Sequence, residues 1–280
     1  MSAKPQNGES DSETPHISVV GAKPRRAPGF RSVPLRTLVP NAVTILGLCA
    51  GLTSIRFALE GNYEASVVAI IVASLFDAVD GRLARLLNVT SKFGAELDSL
   101  SDFVNFGVAP ILLLYIWSLG ALGGIGWVVA LGYAIACALR LARFNTDLDL
   151  GDKPAWTANF FVGVPAPAAA GLVMLPFYVS FLDLPGVSGS PYIMLVYVGV
   201  VAALMVSRVP TFSGKRWGLR VKPQFTLLLL MGVGFLAAML INYPWATLTG
   251  MCLAYFAMMP VSLMRWRHHL GRRLRRKSRG

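Results

Sequence analysis

The stretch Asp77-Ala78-Val79-Asp80-Gly81-Arg82-Leu83-Ala84-Arg85, followed after eight residues by Gly94-Ala95-Glu96-Leu97-Asp98-Ser99-Leu100-Ser101-Asp102, decides how this chain is read. It lies between two long apolar segments of a protein that is mostly apolar. Carboxylates beside a bilayer are costly and usually mark a site. Here they recur at helical spacing. Asp77 and Asp80 are i and i+3, and Asp98 and Asp102 are i and i+4, so each pair shares one helix face. Two such faces brought together make a cage of four carboxylates, a natural holder for hard divalent cations. A helix cap or a single Asp–Arg pair accounts poorly for four acids in register. The interleaved Gly81, Ala84 and Gly94 are small enough for a backbone or a bulky ligand to come close.

Composition sets the class. Of the 280 residues, 55% are hydrophobic and 14% charged, and the mean hydropathy is +0.58. Soluble domains carry about 25% charged residues, so the chain is read as an all-α integral membrane protein. The net charge of +12 does not point to nucleic acid. The basic residues flank apolar segments, as they do where a protein meets anionic headgroups. The tail from Arg265 to Arg279 directly follows an apolar segment and is read the same way, as attraction to anionic lipid.

A spanning helix needs about 20 apolar residues. We place spans at 40–59, 64–80, 103–119, 121–139, 160–181, 191–207, 225–241 and 246–264, with six or seven as the alternative count. Gly120, Gly123 and Gly124 make 103–139 a tight hairpin, not one long helix. Residues 1–30, rich in Ser, Pro, Gly and charge, read as a disordered tail. Residues 29–38 form either a short interfacial helix or an irregular linker. With the N-terminus in the cytoplasm, the Lys and Arg residues gather on that side. The outer turns near Asn62, Gly120, Pro185 and Tyr243 then hold none, and Arg56 alone breaks the pattern. This puts both termini and the aspartates on the cytoplasmic face of a multi-pass inner-membrane protein.

His16, His268 and His269 all lie in the polar tails, so a general base within the membrane region is a carboxylate, or else a Lys or Tyr. Cys49, Cys137 and Cys252 fall in apolar stretches with neither disulfide nor zinc spacing.

The pattern Asp-x-x-Asp-Gly-x-x-Ala-Arg, eight residues, Gly-x-x-x-Asp-x-x-x-Asp resembles that of the CDP-alcohol phosphatidyltransferases. Asp77, Asp80, Gly81, Ala84, Arg85, Gly94, Asp98 and Asp102 match every fixed position. The resemblance implies a six-helix transmembrane core, here about 40–207, with two extra C-terminal spans, about 225–264. It also implies a homodimer and a polar cavity open to the cytoplasm. The implied reaction moves a phosphatidyl group from CDP-diacylglycerol to an alcohol and releases CMP. Two divalent cations, Mg²⁺ or Mn²⁺, are implied as cofactors. Carried over, Asp77, Asp80 and Asp98 are metal ligands. Asp102 is the catalytic base and also contacts metal. Gly81, Ala84, Arg85 and Gly94 bind the CDP-lipid. Pro40-Asn41-Ala42-Val43-Thr44 also looks like the family pattern, so Asn41 and Thr44 either join that site or form a Pro-led helix start.

Four further stretches resemble the serine-using branch of the family. They are Ser101 to Pro110, Arg140-Leu141-Ala142-Arg143-Phe144-Asn145, Phe161 to Pro167, and Leu204 to Arg208. The resemblance implies L-serine as the acceptor, with Asn105 beside it where that branch usually has Ser. Arg140 and Arg143, i and i+3, can take a carboxylate through bidentate contacts or can serve topology alone. A sibling enzyme using glycerol 3-phosphate or an inositol phosphate is the nearest alternative. A cation-coupled transporter fits less well, because transporter ion sites sit near the midplane in repeated halves.

Overall fold

A computed structural model describes residues 35–89, 91–149, 160–183, 190–207, 210–212 and 223–259. The first helix, α1 (Leu35–Leu59), leads through a tight turn into α2 (Tyr63–Leu86). Asn62 caps α2 by accepting from the Ala65 N–H at 3.1 Å. The next helix is α3 (Lys92–Asp102), which continues through a π-helical turn (Phe103–Val108) into α4 (Ala109–Trp117). A 3₁₀ turn (Leu119–Leu122) and Gly123, at φ +58°, reverse the chain into α5 (Gly124–Asp149). There follow strand β1 (Phe160–Val162), α6 (Ala166–Val173), α7 (Leu175–Ser180), α8 (Pro191–Val206), strand β2 (Pro210–Phe212) and α9 (Pro223–Asn242). Residues 244–259 form α10.

The architecture is that of an all-α membrane protein. Leu38–Leu59, Lys92–Trp117, Gly124–Thr146 and Phe225–Asn242 are long and apolar enough to cross a bilayer, and Ala166–Ser180 and Pro191–Val206 are shorter apolar helices. α10 docks on the core. Trp245 packs on Tyr178 and Phe181, Phe256 packs near Tyr197, and Cys252 Sγ meets the Gly171 carbonyl at 3.5 Å. α9 buries none of its apolar span within the chain.

Several boundaries differ from the hydropathy reading. The second helix runs on to Leu86 instead of stopping at residue 80, and the third starts at Lys92 instead of residue 103. Hydropathy ends a span where charge begins, but backbone hydrogen bonding is indifferent to that charge. The actual stops are a turn at Leu87–Asn88, with Asn88 at φ +53°, and the Ser91 cap, which accepts from the Gly94 N–H at 3.0 Å. The span expected from residue 160 begins as β1, paired antiparallel with β2. Gly163 (φ +82°) and Pro165 delay its helix to Ala166. From Leu35 the chain is already α1, and residues 29–34 of the expected interfacial segment lie outside the described residues. The N-terminal tail, Arg208 and the basic C-terminal tail lie outside the described residues.

The π turn has a local cause. Pro110 has no N–H to offer the carbonyl four residues back, and its ring would crowd that carbonyl in a regular α-helix. Widening relieves the crowding. The carbonyl concerned, Phe106, accepts the Tyr133 hydroxyl at 3.0 Å, and Tyr133 is fully buried. Gly107 permits the same approach: a Cβ there would lie 3.1 Å from Cys137 Cβ and Sγ. Tyr133→Phe is expected to destabilise the protein by about 0.5–2 kcal/mol, because a buried carbonyl loses its donor. Thermal unfolding in detergent checks this, and an unchanged melting temperature would count against the role of that bond.

Candidate active site

α2 and α3 both pack on α1, which brings the two acidic faces together. Asp77, Asp98 and Asp102 each present a carboxylate oxygen, all within 4.8 Å of one another. Asp80, one turn along α2 from Asp77, is only 4% exposed, and neither of its carboxylate oxygens has a hydrogen-bond partner. Asp102 Oδ1 is likewise buried and unpartnered. Among the described residues the one ion pair is Arg56–Glu60, at the opposite end of α1 from the acids. Two like charges at this spacing repel by roughly 3 kcal/mol at an effective dielectric near 20. Crowded, unpaired carboxylates, three of them half-buried and one buried, are the donor set that a hard divalent cation fits.

A cavity of about 370 Å³ opens beside the acids. Asn41 and Thr44 line it from α1, Gly81, Ala84 and Arg85 from α2, and Gly94 from α3. Asp80 and Asp98 also face it, so Asp98 belongs both to the cavity and to the three-carboxylate cluster. A Cβ on Gly81 would meet nothing nearer than Arg85 Nη2 at 3.9 Å, so glycine keeps this wall open. At Gly94 a Cβ would lie 2.9 Å from Asn41 Oδ1, so glycine lets α3 close on α1. Arg85 is exposed and folds back, its Nε donating to the Gly81 carbonyl at 2.9 Å.

The structure places the other sequence candidates elsewhere. Arg140 is 7% exposed on α5, and its Nε donates to the Val164 carbonyl at 3.2 Å. Arg143 Nη1 donates to the Val206 carbonyl, also at 3.2 Å. Asn105 is 1% exposed and lies against α1 at Gly47 and Gly51. None of the three lines the cavity.

Several residues near the site escaped the sequence reading. Asn145 Nδ2 on α5 donates to Ser99 Oγ at 2.9 Å, between Asp98 and Asp102. Ser101 Oγ donates to the Thr44 carbonyl at 3.4 Å. Pro40, Val89, Ser91 and Ala95 complete the cavity wall. The Gly47-x-x-x-Gly51 spacing was a readable signal for close packing on α1. The Asn145–Ser99 pair had none.

The profile of the CDP-alcohol phosphatidyltransferases matches residues 37–211, more than half of the chain. The chain belongs to this family. A second profile, CDP-alcohol phosphatidyltransferase 2, matches residues 225–260, which cover most of α9 and all of α10. A CDP-diacylglycerol–serine O-phosphatidyltransferase of Mycobacterium leprae is 39% identical over 238 residues, covering 84% of this chain and 78% of the relative. The protein of that name from Helicobacter pylori is 36% identical over 190 residues, covering 66% of this chain and 76% of the relative. The one from Bacillus subtilis is 38% identical over 159 residues, 56% of this chain and 86% of the relative.

CDP-alcohol phosphatidyltransferases use divalent metals, and the acids between α2 and α3 fit that need. Asp98→Ala is expected to weaken Mn²⁺ binding to the purified protein by at least about tenfold, since even outer-shell partners cost that much. Calorimetric titration checks it, and an unchanged Mn²⁺ isotherm would remove Asp98 from the ligand set.

Proposed function

We propose that the protein transfers the phosphatidyl group of CDP-diacylglycerol to L-serine, giving phosphatidylserine and CMP. One observation carries the reading. The cavity holding the nucleotide-pattern residues and the carboxylate cluster meet at Asp98, so a diphosphate seated in the cavity lies beside the acids. The names of the relatives support the choice of lipid donor and of serine.

In this reading Asn41, Thr44, Gly81, Ala84, Arg85 and Gly94 receive the CDP moiety. Small side chains give it room, and Arg85 offers a cation to phosphate once it leaves the Gly81 carbonyl. Asp77, Asp80, Asp98 and Asp102 hold two divalent cations. When bound, these cations neutralise the diphosphate and stabilise the leaving CMP. The serine hydroxyl oxygen attacks the phosphatidyl phosphorus, and the bond from that phosphorus to the CMP oxygen breaks, with CMP taking the electron pair. The hydroxyl proton passes to Asp102, placed beside Asp98 on the same helix face. Arg140 and Arg143 orient the serine carboxylate, their guanidinium groups steadied by the Val164 and Val206 carbonyls. The site faces the cytoplasm, where serine is dissolved and the basic residues gather, and the protein works in the inner membrane as a homodimer.

The same arginines would suit the phosphate of glycerol 3-phosphate, so acceptor identity needs its own measurement. With CDP-diacylglycerol and metal present, labelled serine is expected to enter lipid and glycerol 3-phosphate is not. The reverse result would sink the serine assignment. Asp102→Asn is expected to keep CDP-lipid binding within a few-fold while lowering kcat at saturating Mn²⁺ by about 10²–10⁴, the usual worth of a positioned base. Near-full turnover in that variant would move the base elsewhere.

A further inference from the structure

We infer that Asn105 is a positioning residue for the metal-holding acids and acts on them through Ser101. The inference rests on the reading that those acids bind divalent cations. Asn105 lies in the π turn just beyond Asp102 and is 1% exposed. Its Nδ2 donates to Ser101 Oγ at 3.1 Å. Ser101 Oγ in turn donates to the Thr44 carbonyl on α1 at 3.4 Å, and Thr44 Oγ1 donates to the Pro40 carbonyl at 3.1 Å. Ser101 precedes Asp102 and sits three residues beyond Asp98. Thr44 and Pro40 line the cavity. This run of hydrogen bonds therefore ties the π turn, the acidic helix and the cavity wall together.

The other side of Asn105 is equally specified. Its amide lies over the Gly47-x-x-x-Gly51 face of α1. A Cβ at Gly47 would come within 3.7 Å of Nδ2, and one at Gly51 would collide with Oδ1 and stand 3.1 Å from Cγ. Oδ1 itself is buried with no hydrogen-bond partner. An amide half-satisfied in an apolar interface costs stability, and a leucine there would not bear that cost. What the amide supplies is a donor to Ser101. A hydroxyl has one proton, and here it goes to Thr44, so the geometry of Ser101 is fixed only while a donor fills its acceptor side. Fixing Ser101 fixes the rotation of α3 about its axis, and with it the direction in which Asp98 and Asp102 point. Asn105 does not line the cavity, and its effect passes through the helix.

The test measures Mn²⁺ affinity on purified full-length protein with no lipid substrate present, alongside KM for serine at saturating Mn²⁺. The variants are Asn105→Ala, Gly51→Ala and Ser101→Ala, which disturb the relay at its end, from its far side and at its middle. All three are expected to weaken Mn²⁺ binding by about tenfold or more, as outer-shell partners of metal ligands do, while Glu60→Ala at the outer end of α1 leaves it unchanged. A rise in KM for serine with unchanged Mn²⁺ affinity overturns the inference and makes Asn105 an acceptor contact. Unchanged values for both also overturn it. If Asn105→Ala cannot be recovered folded, Gly51→Ala and Ser101→Ala decide by the same criterion. Wild-type protein that binds no Mn²⁺ would refute the metal reading, whereas wild type and variants that bind equally would refute only the role of Asn105.

Discussion

Four carboxylates from two neighbouring helices are held close with no ion pair to any of them among the described residues. Where they are charged, their mutual repulsion works to separate α2 from α3. The surrounding structure opposes this from two sides. Ser101 ties α3 to the Thr44 carbonyl on α1, and Asn145 ties α3 to the end of α5 through Ser99. Both bonds attach to residues adjacent to an acid, so they act on the segment that carries the charge. Gly94 contributes by letting α3 approach Asn41 on α1. Preorganised ligands need not be gathered when an ion arrives, so the tightness that costs energy here is what a divalent-cation site would use.

The identity and spacing of the acids were fully legible in the sequence, because helical periodicity alone sets which residues share a face. So was the membrane class, which follows from bulk composition. The hairpin at Gly120 to Gly124 was readable from its glycines, and the structure turns at Leu119 to Gly123. Span ends were read less well, for a physical reason. Hydropathy sees the cost of placing charge in lipid, whereas a helix ends at a cap or a left-handed residue, here Asn88 and Ser91. Pairings between distant segments were the least legible. Nothing in the local pattern of Arg140 to Asn145 says that Arg140 reaches Val164, Arg143 reaches Val206 and Asn145 reaches Ser99, since each partner is chosen by the tertiary fold.

Those arginines are anchored in a different part of the scaffold from the acids. The cavity wall and the acids are built from α1, α2 and α3; α2 and α3 each pack on α1, and the Asn105–Ser101–Thr44 relay joins the π turn and α3 to α1. Arg140 and Arg143 stand on α5 and lean on carbonyls next to the β1–β2 pair and at the end of α8. Gly163 sets that second region. Its φ of +82° suits glycine, and a Cβ there would lie 2.6 Å from the Met205 carbonyl. A change in the crossing of these segments would therefore shift the carbonyls that hold the arginine side chains, while the Ser101–Thr44 bond that ties the acidic helix to α1 lies apart from them. The arginines and the cavity wall thus hang largely on different parts of one scaffold, joined where α5 carries Asn145. Substitutions around Gly163 and Val164 can then shift the Arg140 side chain while the bond between Ser101 and the Thr44 carbonyl stays in place.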